Sequence, residues 1–216
     1  MAVWTVVCAG GAGHRFGSVK QYAELGDKRL IDHAVANAAA ASDFVVVGAP
    51  ADDVSDLRWA FASTTIKVIP GGVLRSDTVR SALAVIPGDA EVIVVHDAAR
   101  PLAPPSLFAA VIAAVEAGAD AAVPGVVPPD TVKRVAGDVI VETLDRSELV
   151  LVQTPQAFRG EALRAAHVGA PDATDDAALV ERAGGKVVVV PGTPAANKIT
   201  TPDDLAAMAR WLEARP

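Results

Sequence analysis

Hydrophobic and polar positions along the chain fall into two kinds of stretch. Short, nearly unbroken apolar runs occur at Val3–Cys8 and at residues 44–48, 66–69, 91–97, 120–126 and 186–190. Runs this short and this apolar suit strands covered on both faces. Between them, residues 30–41 carry Leu30, Ile31, Ala34, Val35 and Ala38 at helical spacing. Helical pattern returns at 52–61, 75–86, 107–117 and 161–167. Thr201-Pro202-Asp203-Asp204 opens a final helix with a cap, a proline in the first turn and acids after it. Thr174-Asp175-Asp176 reads as another helix start, with Thr174 as its cap. This alternation predicts an α/β fold: a doubly wound, mostly parallel, Rossmann-like sheet with right-handed crossovers and helices on both faces.

The alternation breaks once, between residues 128 and 150. Polar and apolar residues alternate through 131–135, the chain turns at Ala136-Gly137-Asp138, and alternation resumes through 139–142, which is a hairpin signal. Two strands cannot bury an apolar face by themselves. The segment is therefore expected to be a projecting β-hairpin arm that reaches a second copy of the chain and makes a homodimer; folding back onto its own domain is the alternative. Residues 150–156 then return as one further apolar stretch. No repeat or low-complexity linker divides the rest, so residues 1–216 read as one domain carrying this arm.

Composition narrows the partners. The net charge is −7 and no basic run of five or more residues occurs, which argues against nucleic acid and leaves room for a small anion where cations cluster. The single cysteine, Cys8, lies in the first strand and suits a reducing, cytoplasmic setting. The N-terminus shows no basic leader or cleavage site, so no signal peptide is read there. No apolar stretch approaches the roughly 18 residues a membrane span needs.

Candidate chemistry begins where the first strand ends. Ala9-Gly10-Gly11-Ala12-Gly13 follows Val3–Cys8 at once, and Arg15 and Lys20 come next. Small residues let backbone N–H groups close on an anion, and the two cations add full charges. A Walker A loop is excluded because Ser18, not lysine, follows Gly17. The dinucleotide fingerprint meets Phe16 where it needs a small residue. A nucleoside triphosphate is the better match. In such sheets ligands sit beyond the carboxyl ends of the strands, where Gly71-Gly72, Asp97 and Arg100 also fall.

Several stretches then resemble one family, the 2-C-methyl-D-erythritol 4-phosphate cytidylyltransferases of non-mevalonate isoprenoid synthesis. They are residues 9–15, Lys20-Gln21-Tyr22, Gly71-Gly72 with Arg75 and Asp77-Thr78-Val79, residues 95–101, Asp130-Thr131-Val132-Lys133, Asp145-Arg146, Thr154-Pro155-Gln156, Thr174-Asp175-Asp176 and Asn197-Lys198-Ile199. The chain departs from the family at Cys8, where proline is common, and at Val73, where a polar residue is common. The resemblance implies transfer of CMP from CTP to a polyol phosphate with loss of pyrophosphate. It implies that Arg15, Lys20 and Lys198 act on the triphosphate as catalytic cations, with Mg2+ bridging the phosphates. Nucleotide contacts would come from Ala9, Gly10, Gly11, Gly13, Gly72, Thr78, Asp97 and Ala98, with Asp97 also nearest the metal. Arg100, Thr154 and Thr174 would hold the acceptor, joined by Thr131 and Arg146 from a neighbouring arm. Three other readings stay open: a ribitol 5-phosphate cytidylyltransferase, a nucleotide-sensing module without catalysis, and a nicotinamide-dependent oxidoreductase. The last is disfavoured because Gly48-Ala49-Pro50, not an acid, ends the second strand.

Overall fold

The computed structural model describes residues 2–10, 20–169 and 173–214. Its first half runs through β1 (Val3–Cys8), the short strands β2 (Glu24–Leu25) and β3 (Lys28–Arg29), α1 (Leu30–Ala39), β4 (Phe44–Ala49), α2 (Val54–Ala60), β5 (Ile66–Pro70), α3 (Arg75–Leu83) and β6 (Val92–Asp97). The second half adds α4 (Pro105–Glu116), β7 (Ala121–Val126), β8 (Lys133–Ala136), β9 (Val139–Thr143), β10 (Leu151–Val152), β11 (Gln156–Arg159), α5 (Gly160–Ala166), α6 (Asp176–Arg182), β12 (Val187–Pro191) and α7 (Pro202–Glu213).

The first apolar run becomes the middle of the sheet. β1 lies parallel to β4 on one side and to β6 on the other, with Val6 level with Val46 and Val95. β5 extends the sheet beyond β4, also in parallel. Successive side chains of a strand point to opposite faces, so each valine-rich run feeds two cores. Val45 and Val47 join Ile31 and Val35 of α1, Leu57 of α2 and Phe108 of α4. Val46 joins Val79 and Leu83 of α3, Leu163 of α5 and Leu179 of α6. The expected mostly parallel, doubly wound α/β fold is what these residues build.

The stretch at 150–156 does not behave as one segment. Leu151 and Val152 pair antiparallel with Val126 and Gly125, the chain breaks over residues 153–155, and Ala157 and Phe158 then pair with Ala122 and Ala121. Pro155 has no N–H to give the ladder, and the Thr154 hydroxyl is taken by His96. β11 is thereby inserted antiparallel between β6 and β7, while β12 adds in parallel to the outer side of β7. The apolar pattern marked this stretch without giving its direction.

Two local expectations fare differently. At α7 the Thr201 hydroxyl accepts from the Asp204 amide at 3.2 Å and the Asp204 carboxylate accepts from the Thr201 amide at 2.8 Å, a reciprocal cap. At α6 the cap is Asp175, whose carboxylate accepts from the Ala178 amide at 2.9 Å; Thr174 stands exposed just before it.

A third apolar cluster of Leu25, Leu30, Leu102, Ile199 and Met208 binds α7 against the β2–β3 hairpin. It carries the segment just before α7, and Lys198 with it, to the side of the molecule where Lys20 lies. The arm stands apart from all of this. β8 and β9 pair through Lys133–Thr143, Arg134–Glu142, Val135–Ile140 and Ala136–Val139, around a turn in which Gly137 takes φ 58°. Every residue of both strands is exposed. The arm has not folded back onto its own domain.

Candidate active site

The segments at the carboxyl ends of β1, β5 and β6 line a cleft of about 170 Å³. Its walls include Ala9, Gly10, Lys20, Gly72, Arg75, Thr78, Asp97 and Lys198. One wall depends on close backbone approach. A Cβ on Gly72 would lie 2.0 Å from the Cβ of Asp77, and one on Gly48 would lie 2.3 Å from the Thr78 methyl carbon. Thr78 locks this turn, because its hydroxyl accepts from the Gly72 amide at 3.0 Å. Its first task is therefore to shape the wall, beside which Ala9 and Gly10 present bare backbone.

The floor of the cleft is charged. Asp97 ends β6, where the chain leaves the sheet, and its two oxygens are divided between two cations. Oδ1 accepts from Arg75 Nε at 2.8 Å, and Oδ2 accepts from Lys198 Nζ at 2.7 Å. Burial alone would push the Asp97 carboxyl up; the guanidinium and ammonium beside it outweigh that and hold it well below the usual carboxylate range. Asp97 is therefore an anion at any physiological pH. Arg75 turns a second nitrogen to Asp176, and Asp176 in turn meets His167 Nε2 at 3.0 Å. Burial likewise works against ionised Asp176, and His167 and Arg75 together still hold its carboxyl low.

Lys20 is fixed from the other end of the chain. Its Nζ donates to the Ile199 carbonyl at 3.1 Å, while the Ile199 amide donates to the Ala99 carbonyl at 2.8 Å. Residue 199 thus pins its neighbour Lys198 to the end of β6 and sets Lys20 beside it. Two cations separated by 178 positions in sequence reach one cleft through a single backbone contact pair.

Two reactive side chains nearby are quiet. Burial pushes the Cys8 thiol up to about 12, so it is no nucleophile at neutral pH. Burial pushes His96 down to about 4, so its ring is neutral. The Thr154 hydroxyl accepts from the Asp97 amide at 3.0 Å and lies 3.1 Å from His96 Nδ1. Buried in this way, Thr154 supports the backbone at Asp97 from behind and is not a wall of the cleft.

Of the residues the sequence singled out, Ala9, Gly10, Lys20, Gly72, Thr78, Asp97 and Lys198 come together. Gly11, Gly13 and Arg15 lie outside the described residues. Ala98 is buried with its amide on the Cys8 carbonyl, and Ala99 takes the place expected for it on the cleft wall. The Arg100 guanidinium donates to the Ala196 carbonyl at 2.7 Å, which braces the loop that carries Lys198. Thr131, Arg146 and Thr174 are exposed and are not among the cleft's described walls; Arg146 donates to the Pro129 carbonyl at the base of the arm. The sequence motifs contained Arg75 and Asp176 without giving either a task, and nothing in them pointed to His167. The only sequence signal at Asp176 was a pair of acids at a helix start, which a cap explains equally well.

A parallel sheet whose strand ends hold glycine turns, two lysines and an ionised aspartate around one cleft defines an α/β nucleotidyltransferase fold. Comparison with known proteins narrows this. The family model described as IspD, 2-C-methyl-D-erythritol 4-phosphate cytidylyltransferase, matches residues 3–214, and the chain belongs to that family. It is 48% identical over 219 residues to the 2-C-methyl-D-erythritol 4-phosphate cytidylyltransferase of Saccharopolyspora erythraea, covering 95% of this chain and 97% of that one. It is 40% identical over 227 residues to a bifunctional IspD/IspF enzyme of Solidesulfovibrio magneticus, covering 97% of this chain and 57% of that longer protein. Among solved structures, 2-C-methyl-D-erythritol 4-phosphate cytidylyltransferase from Thermus thermophilus superposes with a TM-score of 0.82 at 30% identity, covering 99% of this chain and all of that one.

Proposed function

We propose that this chain transfers CMP from CTP to 2-C-methyl-D-erythritol 4-phosphate and releases pyrophosphate. The observation that carries the reading is the meeting of Lys20, Lys198 and ionised Asp97 in one cleft at the strand ends. A phosphate oxygen of the acceptor attacks the α-phosphorus of CTP, and the bond from that phosphorus to the bridging oxygen of the β-phosphate breaks. Nucleophile and electrophile are both anionic, so the protein's contribution is chiefly positioning and opposite charge. Lys20 and Lys198, with Arg15, would neutralise the triphosphate and hold the departing pyrophosphate. The confined turn at Gly72 and Thr78, with the backbone of Ala9 and Gly10, would receive the base.

Magnesium, when bound, would supply charge between the phosphate groups. Among the described residues no group of three His, Cys, Asp or Glu side chains could hold a metal by itself. That suits a hard cation held mainly by phosphate oxygens and water, with Asp97 as the one ionised carboxylate of the cleft. Asp97 would help hold such a cation, and Lys198 beside it would face the phosphates.

The acceptor would be held partly by a second copy. The arm exposes Val135, Val139, Ile140 and Val141, with Val139 65% and Ile140 60% accessible, and it also carries Thr131 and Arg146. A homodimer that buries these apolar side chains would bring both polar residues to the partner's cleft. Ile140→Asp is expected to shift the chain from dimer to monomer in sedimentation. Its KM for the acceptor should then rise while CTP affinity changes little; an unchanged dimer would rule out the arm as the interface. No described helix is long and apolar enough to cross a membrane, and a cytoplasmic setting is part of the proposal.

The test of the activity is incubation with CTP, magnesium and either 2-C-methyl-D-erythritol 4-phosphate or ribitol 5-phosphate, with pyrophosphate release followed. Turnover with the first is expected. Turnover with ribitol phosphate alone would replace the acceptor, and none with either would leave a nucleotide-sensing module.

A further inference from the structure

From the cleft inward, five side chains drawn from five separate parts of the fold form a continuous line. Lys198 Nζ meets Asp97 Oδ2 at 2.7 Å, Asp97 Oδ1 meets Arg75 Nε at 2.8 Å, Arg75 meets Asp176, and Asp176 Oδ1 meets His167 Nε2 at 3.0 Å. The far end of the line is buried: the side chain of Lys198 is 40% accessible and those of Asp176 and His167 only 1% and 3%. Arg75 is the first residue of α3, Asp176 the first of α6, and His167 follows the last turn of α5. A guanidinium can hold two carboxylates at a fixed angle because its donors form a rigid planar fork. A lone ammonium has no such fork.

Resting on the activity proposed above, we propose that Arg75 and Asp176, with His167 behind them, are positioning residues: they fix the orientation of the Asp97 carboxylate through Oδ1, so that Oδ2 stays aimed into the cleft. Asp97 then has one oxygen permanently engaged and one exchangeable. Oδ1 stays on Arg75 throughout the cycle, while Oδ2 passes from Lys198 to the incoming magnesium–nucleotide. Asp176 touches nothing that reacts. Its part is to keep Arg75 from swinging after the nucleotide.

The test is a double-mutant cycle between Asp176→Asn and Asp97→Asn. In the otherwise native chain, Asp176→Asn should lower kcat/KM for CTP about tenfold, the usual effect of removing an outer partner of a charged ligand group. The magnesium concentration for half-maximal rate should rise with it. In the Asp97→Asn background the same change should cost less than about twofold, because residues that act through one another are not additive. Arg75→Lys should match Asp176→Asn instead of restoring activity. Calorimetric binding of CTP with magnesium, which needs no turnover, should follow the same cycle, and thermal melting should show each variant folded. The proposal is overturned if Asp176→Asn leaves kcat/KM unchanged, if its effect is as large in the Asp97→Asn background, if Arg75→Lys behaves as the native chain, or if the loss only tracks a smaller folded fraction. Failure of the native chain to release pyrophosphate would instead sink the activity on which this rests.

Discussion

Lys198→Ala is expected to lower kcat about 10²–10³-fold, the usual effect of removing one preorganised group that meets charge developing in the transition state. The fold should scarcely notice. The Lys198 side chain is 40% accessible, and an ion pair at that exposure contributes about 0–1 kcal/mol. Asp97 meanwhile keeps its bond to Arg75. Pyrophosphate release at saturating CTP and acceptor, set beside a melting curve, separates the two effects. A melting temperature within a few degrees of the native value and a large loss of rate is the expected pair. A loss below tenfold would show that the lysine is a surface partner of Asp97 and that the triphosphate is gripped elsewhere. Lys20→Ala is a weaker test of the same idea, because Lys20 also holds the Ile199 carbonyl and its removal loosens the loop that presents Lys198.

Arg75→Met is expected to cost about 3–5 kcal/mol of folding stability, the range seen when one partner of a buried ion pair is removed. The change leaves Asp176, whose side chain is 1% accessible, with His167 as its remaining side-chain partner and Asp97 with Lys198. Urea unfolding with an unchanged slope would give the difference directly. Its pH dependence carries a definite sign. Asp97 and Asp176 both have folded-state values below those of an unfolded chain, so their pairing contributes in full above about pH 4, the unfolded carboxylate value. That contribution fades as pH falls from there toward the folded values. The gap between the native chain and Arg75→Met should therefore be widest near neutrality and close in acid. A gap that stayed constant down to pH 3 would assign the loss to packing around the methionine.

Much of this protein is legible in its sequence because the signals involved are local. Val3–Cys8 is too apolar to be anything but a covered strand, and the residues at 30–41 repeat too regularly to be anything but a helix on that strand's flank. The glycines after β1 suggest an anion site for the same reason, since small residues let backbone N–H groups close on one. Residues 131–142 declare a hairpin by alternation alone, and the exposure of both strands bears this out. What alternation does not carry is direction or partnership. It gave no sign that β11 would run antiparallel between β6 and β7. It offered Thr154 as an acceptor contact, whereas the folded chain turns that hydroxyl to His96 and the Asp97 amide. It took Thr174 for a helix cap that Asp175 in fact provides.

The sequence by itself determined the layered sheet, the glycine turn and the stock of cations available to it, because period, chain reversal and charge are properties of neighbouring residues. Only the tertiary structure decided which charges meet: Arg75 with Asp176 and Lys198 with Asp97, each pair 101 positions apart. Such pairs form because carboxylates removed from water must find a cation within hydrogen-bond reach, and which cation that is depends on the packing that brings β6, α3, α6 and the segment before α7 to one point.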